Sequence, residues 1–309
     1  MKIVFMGTPA FAVPSLDILL KNNYEIQTVV TVPDKEKGRG LKVQYSDVKN
    51  FSLENNLKIL QPISLKDNDF INEIKSKKPD LIVVVAFRIL PKEVYSIPVN
   101  GSINLHASLL PKYRGAAPIN WAIINGEKET GVTTFFLKDK VDTGNLILQK
   151  KIYIDNNDNA GTIHDKLSIL GADALLETVK MIESGNSYTK QQSDELSSKA
   201  PKIFKENCII NWNTYSRTVH NLIRGLSPYP SAFTHFENKV LKILSSEITD
   251  IKPDDKPGML FSKDKKLFVN TLDYLLEIKE LQLEGKKRIS AKEFINGLER
   301  IKYSKILLS

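Results

Sequence analysis

The segment "PDLIVVVAF", Pro79 to Phe87, contains an unbroken apolar run that starts at Leu81. Such a run is typical of a strand in a parallel sheet, because helices cover both faces of the sheet and bury both sides of its strands. Strand-like and helical segments alternate on both sides of it, beginning with "KIVFMG" at residues 2–7. This alternation predicts an α/β domain with a doubly wound parallel sheet. No GxGxxG motif follows the first strand, so a dinucleotide site is not predicted.

The second part of the chain has a different pattern. Residues 184–207, "SGNSYTKQQSDELSSKAPKIFKEN", are polar and rich in turn residues, as expected of a linker. A helix near residues 215–224 follows, then short alternating runs such as "KLFVN", and a capping box from Ser290 to Glu293 predicts a last helix. A length of 309 residues is enough for two domains. We predict an N-terminal α/β domain at 1–188, a linker at 189–207 and a smaller, β-rich C-terminal domain at 208–309.

Composition disfavours several classes of protein. No segment approaches the roughly 20 apolar residues that a membrane-spanning helix needs, so no membrane association is expected. Gly7 and Pro9 interrupt the apolar N-terminal run, which indicates a first strand rather than a secretory signal. The single cysteine, Cys208, cannot form an internal disulfide and is compatible with a reducing cytoplasm. The four histidines lack the spacing of metal ligands, so no metal site is predicted.

Positive charge is concentrated in the C-terminal part. From Pro201 onward there are 19 lysines and arginines against 13 acidic residues, compared with 25 against 23 in residues 1–200. Two interpretations of this bias stay open at this point, a solvated lysine-rich surface and a surface for an anionic partner such as nucleic acid.

The stretch "GSINLHASLLPKYRGAAPI", Gly101 to Ile119, carries polar side chains where an interior strand is expected. Side chains alternate along a strand, so Ser102, Asn104 and His106 point to the same face. An unpaired buried polar group costs roughly 1 to 3 kcal/mol, so this amide and this imidazole need partners or a function. Ligands of open α/β sheets bind at the carboxyl ends of the strands, which makes this strand end a candidate binding site.

Asp142 is the third candidate, in "KVDTGN", at a predicted turn from which its carboxylate can point back to His106. Amide, imidazole and carboxylate together suit acyl transfer directly to an amine, with Asn104 and protonated His106 donating hydrogen bonds to the oxyanion. Asp142 would favour the imidazolium and help to remove the proton of the amine. Two simpler interpretations stay open from these residues alone, a satisfied core histidine and an ordinary Asp-Thr-Gly turn. An aspartic protease would need a second such carboxylate.

The segment "NLHASLLPKYRGAAPINWAI", with the aspartate of "VDTG" 36 residues after His106, resembles the motif of the folate-dependent formyltransferases. This resemblance implies a Rossmann-like domain that binds 10-formyltetrahydrofolate as a cosubstrate, with no metal. It implies that Asn104, His106 and Asp142 are catalytic. It also implies that two segments, "AFRIL" and "SLLP", contact the folate through Phe87, Arg88, Ile89, Leu90, Ser108, Leu109, Leu110 and Pro111.

Within that family the members that formylate methionyl-tRNA are the most similar, over essentially the whole chain. They share "MGTPAFAVPSL", the loop "PDKEKGRG", "APKI" and "IRGLSPYPSAF". The resemblance implies formylation of the α-amine of methionyl-initiator tRNA for translation initiation, by a cytoplasmic monomer with an OB-like C-terminal β-barrel that binds tRNA. It further implies that the loop contacts the tRNA through Lys35, Lys37, Arg39 and Lys42.

Three alternatives share some of these features. Formyltransferases of amino sugar nucleotides have the same chemistry and two domains but lack the "GRG" loop. Glycinamide ribonucleotide formyltransferases share the catalytic residues but are shorter, single-domain proteins. The run "AFRILP" is closer to theirs than to the "AYG" run of many methionyl-tRNA enzymes. A catalytically silent RNA-binding protein would not need the intact set of Asn104, His106 and Asp142.

Overall fold

The computed structural model describes residues 1–37, 42–297 and 305–308. The chain divides into two compact units that interleave along the sequence. One unit comprises Met1–Ala116, Glu129–Ile152 and His164–Ala200. The other comprises Ala117–Lys128, Tyr153–Ile163 and the chain from Pro201 onward. Two short internal segments therefore belong to the same unit as the C-terminal third.

Strands and helices alternate through the first 115 residues, in the chain order β1 (Lys2–Gly7), α1 (Val13–Lys21), β2 (Glu25–Val30), β3 (Lys35–Lys37), β4 (Lys42–Gln44), α2 (Asp47–Glu54), β5 (Ile59–Leu60), α3 (Asn68–Ser76), β6 (Leu81–Val85), α4 (Lys92–Tyr95), β7 (Ser102–His106) and β8 (Arg114–Gly115). Up to residue 200 they continue with α5 (Pro118–Ile124), β9 (Glu129–Phe136), β10 (Leu146–Tyr153), α6 (Ala160–Glu183) and β11 (Lys199–Ala200). The remainder are α7 (Ser216–Leu226), β12 (Ala232–Phe236), β13 (Lys239–Ile248), β14 (Met259–Lys263), β15 (Lys266–Asn270), β16 (Leu275–Leu283), β17 (Ile289–Ser290), α8 (Ala291–Gly297) and β18 (Ile306–Leu307).

A seven-stranded sheet, in the order β10-β9-β7-β6-β1-β2-β5, forms the centre of the N-terminal unit. The strands from β7 to β5 pair in parallel, which confirms the predicted Rossmann-like α/β class. β9 departs from that pattern and runs antiparallel to β7. A parallel pair needs a crossover that packs on the sheet. The helix between these two strands, α5, belongs to the other unit, so β9 returns in the opposite direction.

Helices cover both faces of this sheet, which explains why all five residues of β6 are buried. On one face, Val84 belongs to a cluster that includes Ile74 of α3 and Val94 of α4. On the other face, α6 approaches Leu105 so closely that a Cβ at Gly171 would lie 2.8 Å from a Leu105 methyl carbon. The face closed by α6 is opposite to the face that carries Asn104 and His106.

The C-terminal unit contains an antiparallel sheet in the order β12-β13-β16-β15-β14-β18, with β17 beside β16. This sheet curls into a nearly closed barrel, as predicted. Its core includes Trp212, Leu241 and Leu276, and α7 contributes Val219 and Ile223 to it. None of the helices within the described residues is long and apolar enough to cross a membrane.

The last described helix begins at the predicted capping box. The backbone N–H and the hydroxyl of Ser290 donate to Glu293 Oε2 at 2.8 and 2.7 Å, and Glu293 N–H donates to Ser290 Oγ at 3.3 Å. These hydrogen bonds to the charged form lower the pKa of Glu293. They satisfy backbone donors that the first turn of a helix cannot pair internally.

One titratable group of the C-terminal unit is held neutral by its surroundings. His220 of α7 lies with Nδ1 3.0 Å from Ser246 Oγ. Burial, reinforced by the positive charges of Arg224 and Arg217, lowers the pKa of His220 to about 4, against opposing contributions from a hydrogen bond to the Asn156 backbone and from Glu247. Folding therefore disfavours the protonated form of this ring.

This shift predicts a pH dependence of stability. An unfolded histidine has a pKa of about 6.5 and takes up a proton before the folded one does, so protonation favours the unfolded state. The free energy of unfolding should fall as the pH is lowered from about 6.5 to about 4, by at most about 1.4 kcal/mol per pH unit from this residue. Urea unfolding at several pH values checks this, with His220→Gln as the comparison. Parallel curves for the two proteins would show that His220 does not contribute.

Candidate active site

Asn104 and His106 lie at the carboxyl-terminal half of β7, in the interior of the sheet. Val84 of β6 and Phe135 of β9 are the neighbours of Asn104 across the ladders, and Thr133 is that of His106. His106 is buried, whereas Asn104 is half-buried. The Asn104 side-chain amide makes no hydrogen bond to another residue of the described chain. It is therefore a donor and acceptor that a ligand can use.

The two ring nitrogens of His106 have different environments. Nε2 lies 2.8 Å from the carbonyl oxygen of Tyr113. A carbonyl only accepts, so we assign the proton of the neutral ring to Nε2. Nδ1 lies 3.8 Å from Asp142 Oδ2, which is too far for a direct hydrogen bond. Nδ1 is thus the nitrogen that is not bound to the backbone, and it faces a carboxylate.

Asp142 reaches this position from a tight turn between β9 and β10. Its Oδ2 accepts a hydrogen bond from the backbone N–H of Gly115 at 2.9 Å, and its own φ is 55°. The turn needs glycine at position 144, because a Cβ there would lie 1.6 Å from the carbonyl oxygen of Phe136. The structure therefore brings together the three residues that the sequence singled out: Asn104 and His106 on one strand, and Asp142 beside the histidine.

Gly115 is constrained from its other side as well. Its φ is 130°, and a Cβ would lie 2.5 Å from the carbonyl oxygen of Ala200, because β8 pairs in parallel with β11. The segment from Tyr113 to Gly115 holds both His106 and Asp142, because the Tyr113 carbonyl accepts from His106 and the Gly115 N–H donates to Asp142. Sequence reasoning missed these backbone roles, which depend on a pairing between residues far apart in the chain.

The predicted folate segment Ser108 to Pro111 is held by hydrogen bonds within the loop and to side chains of neighbouring strands. Ser108 is fully buried, and its hydroxyl donates to the Lys112 carbonyl at 2.7 Å. Thr133 Oγ1 donates to the Ser108 carbonyl at 2.6 Å and accepts from the Leu110 N–H at 3.1 Å. Gln149 donates to the Leu110 carbonyl at 2.9 Å. The loop therefore has a fixed backbone, with Leu110 buried and with Leu109 and Pro111 half-buried.

The second predicted folate segment, Phe87 to Leu90, follows β6. Leu90 is buried in the apolar cluster beneath the sheet, and Ile89 is 73% exposed. Arg88 donates to the carbonyls of Pro62 and Ile63 at 2.8 and 2.9 Å, and burial lowers its pKa. The guanidinium lies 5.2 Å from the centre of the Phe87 ring. Arg88 thus binds a neighbouring loop and Leu90 packs in the apolar cluster, which leaves the backbone and Ile89 as the parts open to a ligand.

The predicted tRNA-contacting loop begins in a short hairpin that the sequence did not reveal. Lys35 is exposed, and the antiparallel strands β3 and β4 contain Lys37 and Lys42, whose side chains lie outside the described residues. Arg39 also lies outside them. The base of the hairpin is fixed by Lys49, which binds Asp34 at 2.5 Å. Hydrogen bonds from Lys49 and Gln61 lower the pKa of Asp34.

No metal centre is visible in the part of the chain that the structure describes. Residues 1–37, 42–297 and 305–308 contain no group of three or more His, Cys, Asp or Glu side chains arranged to hold a metal ion.

Comparisons with known sequences identify the family of this chain. The family profile described as "Formyl transferase" matches residues 1–179, and that described as "Formyl transferase, C-terminal domain" matches residues 202–299. A protein named methionyl-tRNA formyltransferase from Flavobacterium johnsoniae is 48% identical over 303 residues, which cover 96% of each chain. The chain belongs to the methionyl-tRNA formyltransferase family. A second member, from Clostridioides difficile, is 48% identical over 299 residues, covering 96% of this chain and 97% of its own.

Solved structures of more distant proteins share the fold. HypX from Aquifex aeolicus is 16% identical, with a TM-score of 0.69 over 98% of this chain and 50% of its own. WlaRD, described as a sugar 3N-formyltransferase, is 23% identical, with a TM-score of 0.68 over 93% of this chain and 99% of its own. At these identities the likeness shows the architecture alone.

The contact between Gly115 and Ala200 gives a testable expectation. Gly115→Ala should unfold more easily than Gly185→Ala by at least about 1 kcal/mol, because its φ of 130° is less accessible to alanine than the 72° of Gly185 and because its Cβ alone meets a backbone oxygen. The same variant should lose formylation activity, because Gly115 N–H holds the Asp142 carboxylate. Chemical denaturation and a formylation assay on both variants measure this. Equal stabilities for the two variants would contradict the assigned constraint.

Proposed function

We propose that this chain transfers the formyl group of 10-formyltetrahydrofolate to the α-amine of methionine carried by initiator tRNA. The product is N-formylmethionyl-tRNA, which serves translation initiation. Membership of the methionyl-tRNA formyltransferase family supports the reaction. The observation that carries the site assignment is the half-buried Asn104 amide, without a hydrogen-bond partner among the described residues, on the strand that bears His106.

The proposed chemistry begins with attack of the neutral amine on the formyl carbon. Negative charge then develops on the formyl oxygen, and donors already in place stabilise it most effectively. Asn104 supplies its amide N–H groups. His106 supplies Nδ1–H when the ring is protonated, because Nε2 is engaged by Tyr113. In this proposal two donors from one strand bind the same oxygen.

Asp142 has two roles in this scheme. Its carboxylate lies 3.8 Å from His106 Nδ1, where opposite charge stabilises the imidazolium. It also accepts the proton that the amine loses when the new C–N bond forms. That proton passes to N10 of the folate as the bond between N10 and the formyl carbon breaks, and tetrahydrofolate leaves. Atoms and charge balance without a metal or a nucleotide.

The folate cosubstrate suits the loops beside these residues. The backbone groups of Phe87 to Leu90 have no backbone hydrogen-bond partner among the described residues, so they are free to bind the polar edge of a pterin. Ile89 offers an exposed apolar surface next to them. The anchored segment Ser108 to Pro111 follows directly after the catalytic strand. Both segments lie at the carboxyl ends of neighbouring parallel strands, where ligands of such sheets bind.

The tRNA is assigned to the basic surfaces of the chain. Lys35, Lys37, Arg39 and Lys42 give the loop after β2 several positive charges, and Arg39 between two glycines offers a planar fork for phosphates or base edges. The residues from 208 to 309 are proposed to supply the remaining tRNA contacts through their excess of lysine. Residues 1–188 are proposed to hold the catalytic functions, and the enzyme is proposed to act as a cytoplasmic monomer.

Substitution of the three catalytic candidates should separate chemistry from folding. Asn104→Ala and His106→Ala should each lower kcat by on the order of a hundredfold or more, as loss of an oxyanion donor does elsewhere. Asp142→Asn should also lower kcat, because it removes the charge that favours the imidazolium and the acceptor for the proton of the amine. Asp142→Asn retains an oxygen that accepts from Gly115 N–H, so its unfolding midpoint should stay near that of the wild type. Formylation of methionyl-tRNA with 10-formyltetrahydrofolate provides the rate.

The acceptor class is tested in the same assay. Glycinamide ribonucleotide and a nucleotide-linked amino sugar replace methionyl-tRNA in parallel reactions, and only the tRNA should be formylated at an appreciable rate. Preferred formylation of the amino sugar would overturn the assigned substrate while leaving the chemistry intact. Wild-type rates in all three variants would overturn the assigned catalytic residues.

A further inference from the structure

Gln192 lies outside the proposed catalytic set, and its side-chain amide is held by four hydrogen bonds. It lies in the segment predicted as a linker, yet it is only 8% exposed and belongs to the N-terminal unit. Its Nε2 donates to the carbonyl oxygens of Asp142 and Gly144 at 2.9 and 2.8 Å. Its Oε1 accepts from Nε and Nη2 of Arg114 at 3.1 and 2.9 Å. Both donors and the acceptor oxygen of the amide are therefore in use.

The orientation of this amide follows from its partners. A guanidinium has only donors and a carbonyl has only lone pairs, so Oε1 must face Arg114 and Nε2 must face the turn. Arg114 is itself held, since its Nη1 donates to Asp194 at 2.7 Å. A rotated amide would place N–H against N–H and oxygen against oxygen at every contact. Gln192 is thus fixed in one orientation.

The turn that carries Asp142 needs such support. A non-glycine residue at a φ of 55° is in a sparsely populated region, which costs of order 1 kcal/mol or more and persists only where the surroundings impose it. The two carbonyls bound by Gln192 belong to Asp142 itself and to Gly144, two residues later. One side chain therefore fixes the peptide units that set the direction of the Asp142 side chain.

The contacts form a closed ring. The Asp142 carboxylate accepts from Gly115 N–H, Gly115 follows Arg114, Arg114 donates to Gln192, and Gln192 donates to the Asp142 carbonyl. The ring therefore attaches Asp142 to β8 in two ways. Its carboxylate oxygen binds Gly115 directly, and its backbone carbonyl is linked to Arg114 through Gln192. That strand also follows directly after Tyr113, whose carbonyl accepts from His106. A displacement of Gln192 would change the position of Asp142 relative to His106.

From this ring we infer that Gln192 is a positioning residue for the reaction, which holds the Asp142 carboxylate beside His106 Nδ1, where it stabilises the imidazolium and accepts the proton of the amine. The inference rests on the catalytic role proposed for Asp142. Misplacement of a reacting group by about 1 Å can cost on the order of a hundredfold in rate. Gln192 does not touch the substrates in this assignment, so its loss acts on kcat rather than on binding.

Two variants and one control isolate this role. Gln192→Ala removes all four hydrogen bonds, whereas Gln192→Glu keeps an acceptor for Arg114 and removes both donors to the turn. Gln191→Ala is the matched control, because Gln191 is the exposed neighbour and has no hydrogen bond to a described residue. Steady-state formylation of methionyl-tRNA and thermal unfolding are measured for each full-length protein.

Both Gln192 variants should lower kcat at least about tenfold, with KM for 10-formyltetrahydrofolate and for methionyl-tRNA within about twofold of wild type. Gln191→Ala should match the wild type. In an Asp142→Asn background, Gln192→Ala should lower kcat by less than about twofold, because residues that act through one another are not additive. A thermal midpoint near that of wild type in Gln192→Glu would separate positioning from folding.

Wild-type kcat in both Gln192 variants would overturn the inference, and so would a full, additive loss in the Asp142→Asn background. Normal activity in Gln192→Glu alone would overturn it too, since the effect of Gln192→Ala would then come from Arg114. If the wild type does not formylate methionyl-tRNA, or if Asp142→Asn alone is fully active, it is the proposed function or the role of Asp142 that fails. The two failures are therefore distinguishable.

Discussion

The positions of His106 and Asp142 depend on the backbone of Tyr113 to Gly115. Gly115 can pair with β11 only because it has no side chain, since a Cβ would collide with the Ala200 carbonyl. That pairing fixes the peptide unit whose N–H binds the Asp142 carboxylate and, two residues earlier, the carbonyl that binds His106. A contact between residues about 85 positions apart thus aligns His106 of β7 with Asp142 of the turn between β9 and β10.

This arrangement also assigns separate tasks to the two nitrogens of His106. Nε2 holds the ring through the Tyr113 carbonyl, and Nδ1 faces the Asp142 carboxylate. A ring held at only one nitrogen keeps its orientation while its second nitrogen gains and loses a proton. Asp142 is also held by a backbone group. Its Oδ2 accepts from Gly115 N–H, and its carboxylate remains close to the imidazole. The side chains of His106 and Asp142 are therefore each held by a backbone group, and each keeps a polar atom that faces the other.

Local patterns predicted the local structure well. The apolar run after Pro79 gave β6, the alternation in "INLH" placed Asn104 and His106 on one face, and the Ser290 capping box gave the start of α8. What local patterns did not reveal are pairings between distant segments. The antiparallel entry of β9, the membership of residues 117–128 in the C-terminal unit and the burial of Gln192 all depend on long-range packing. Gln192 carried no local indication, because a polar segment with turn residues has the same pattern whether it is solvated or held beneath a site.

The central claim is that His106 is held through Nε2–H by the Tyr113 carbonyl, which leaves Nδ1 for the reaction. The tautomer of His106 tests this claim directly, by two-bond 15N–1H correlation in histidine-labelled protein at a pH where the ring is neutral. His106→Asn identifies the resonance among the four histidines. We expect the Nε2–H tautomer, with an unprotonated Nδ1. A ring protonated at Nδ1 and bare at Nε2 would contradict it.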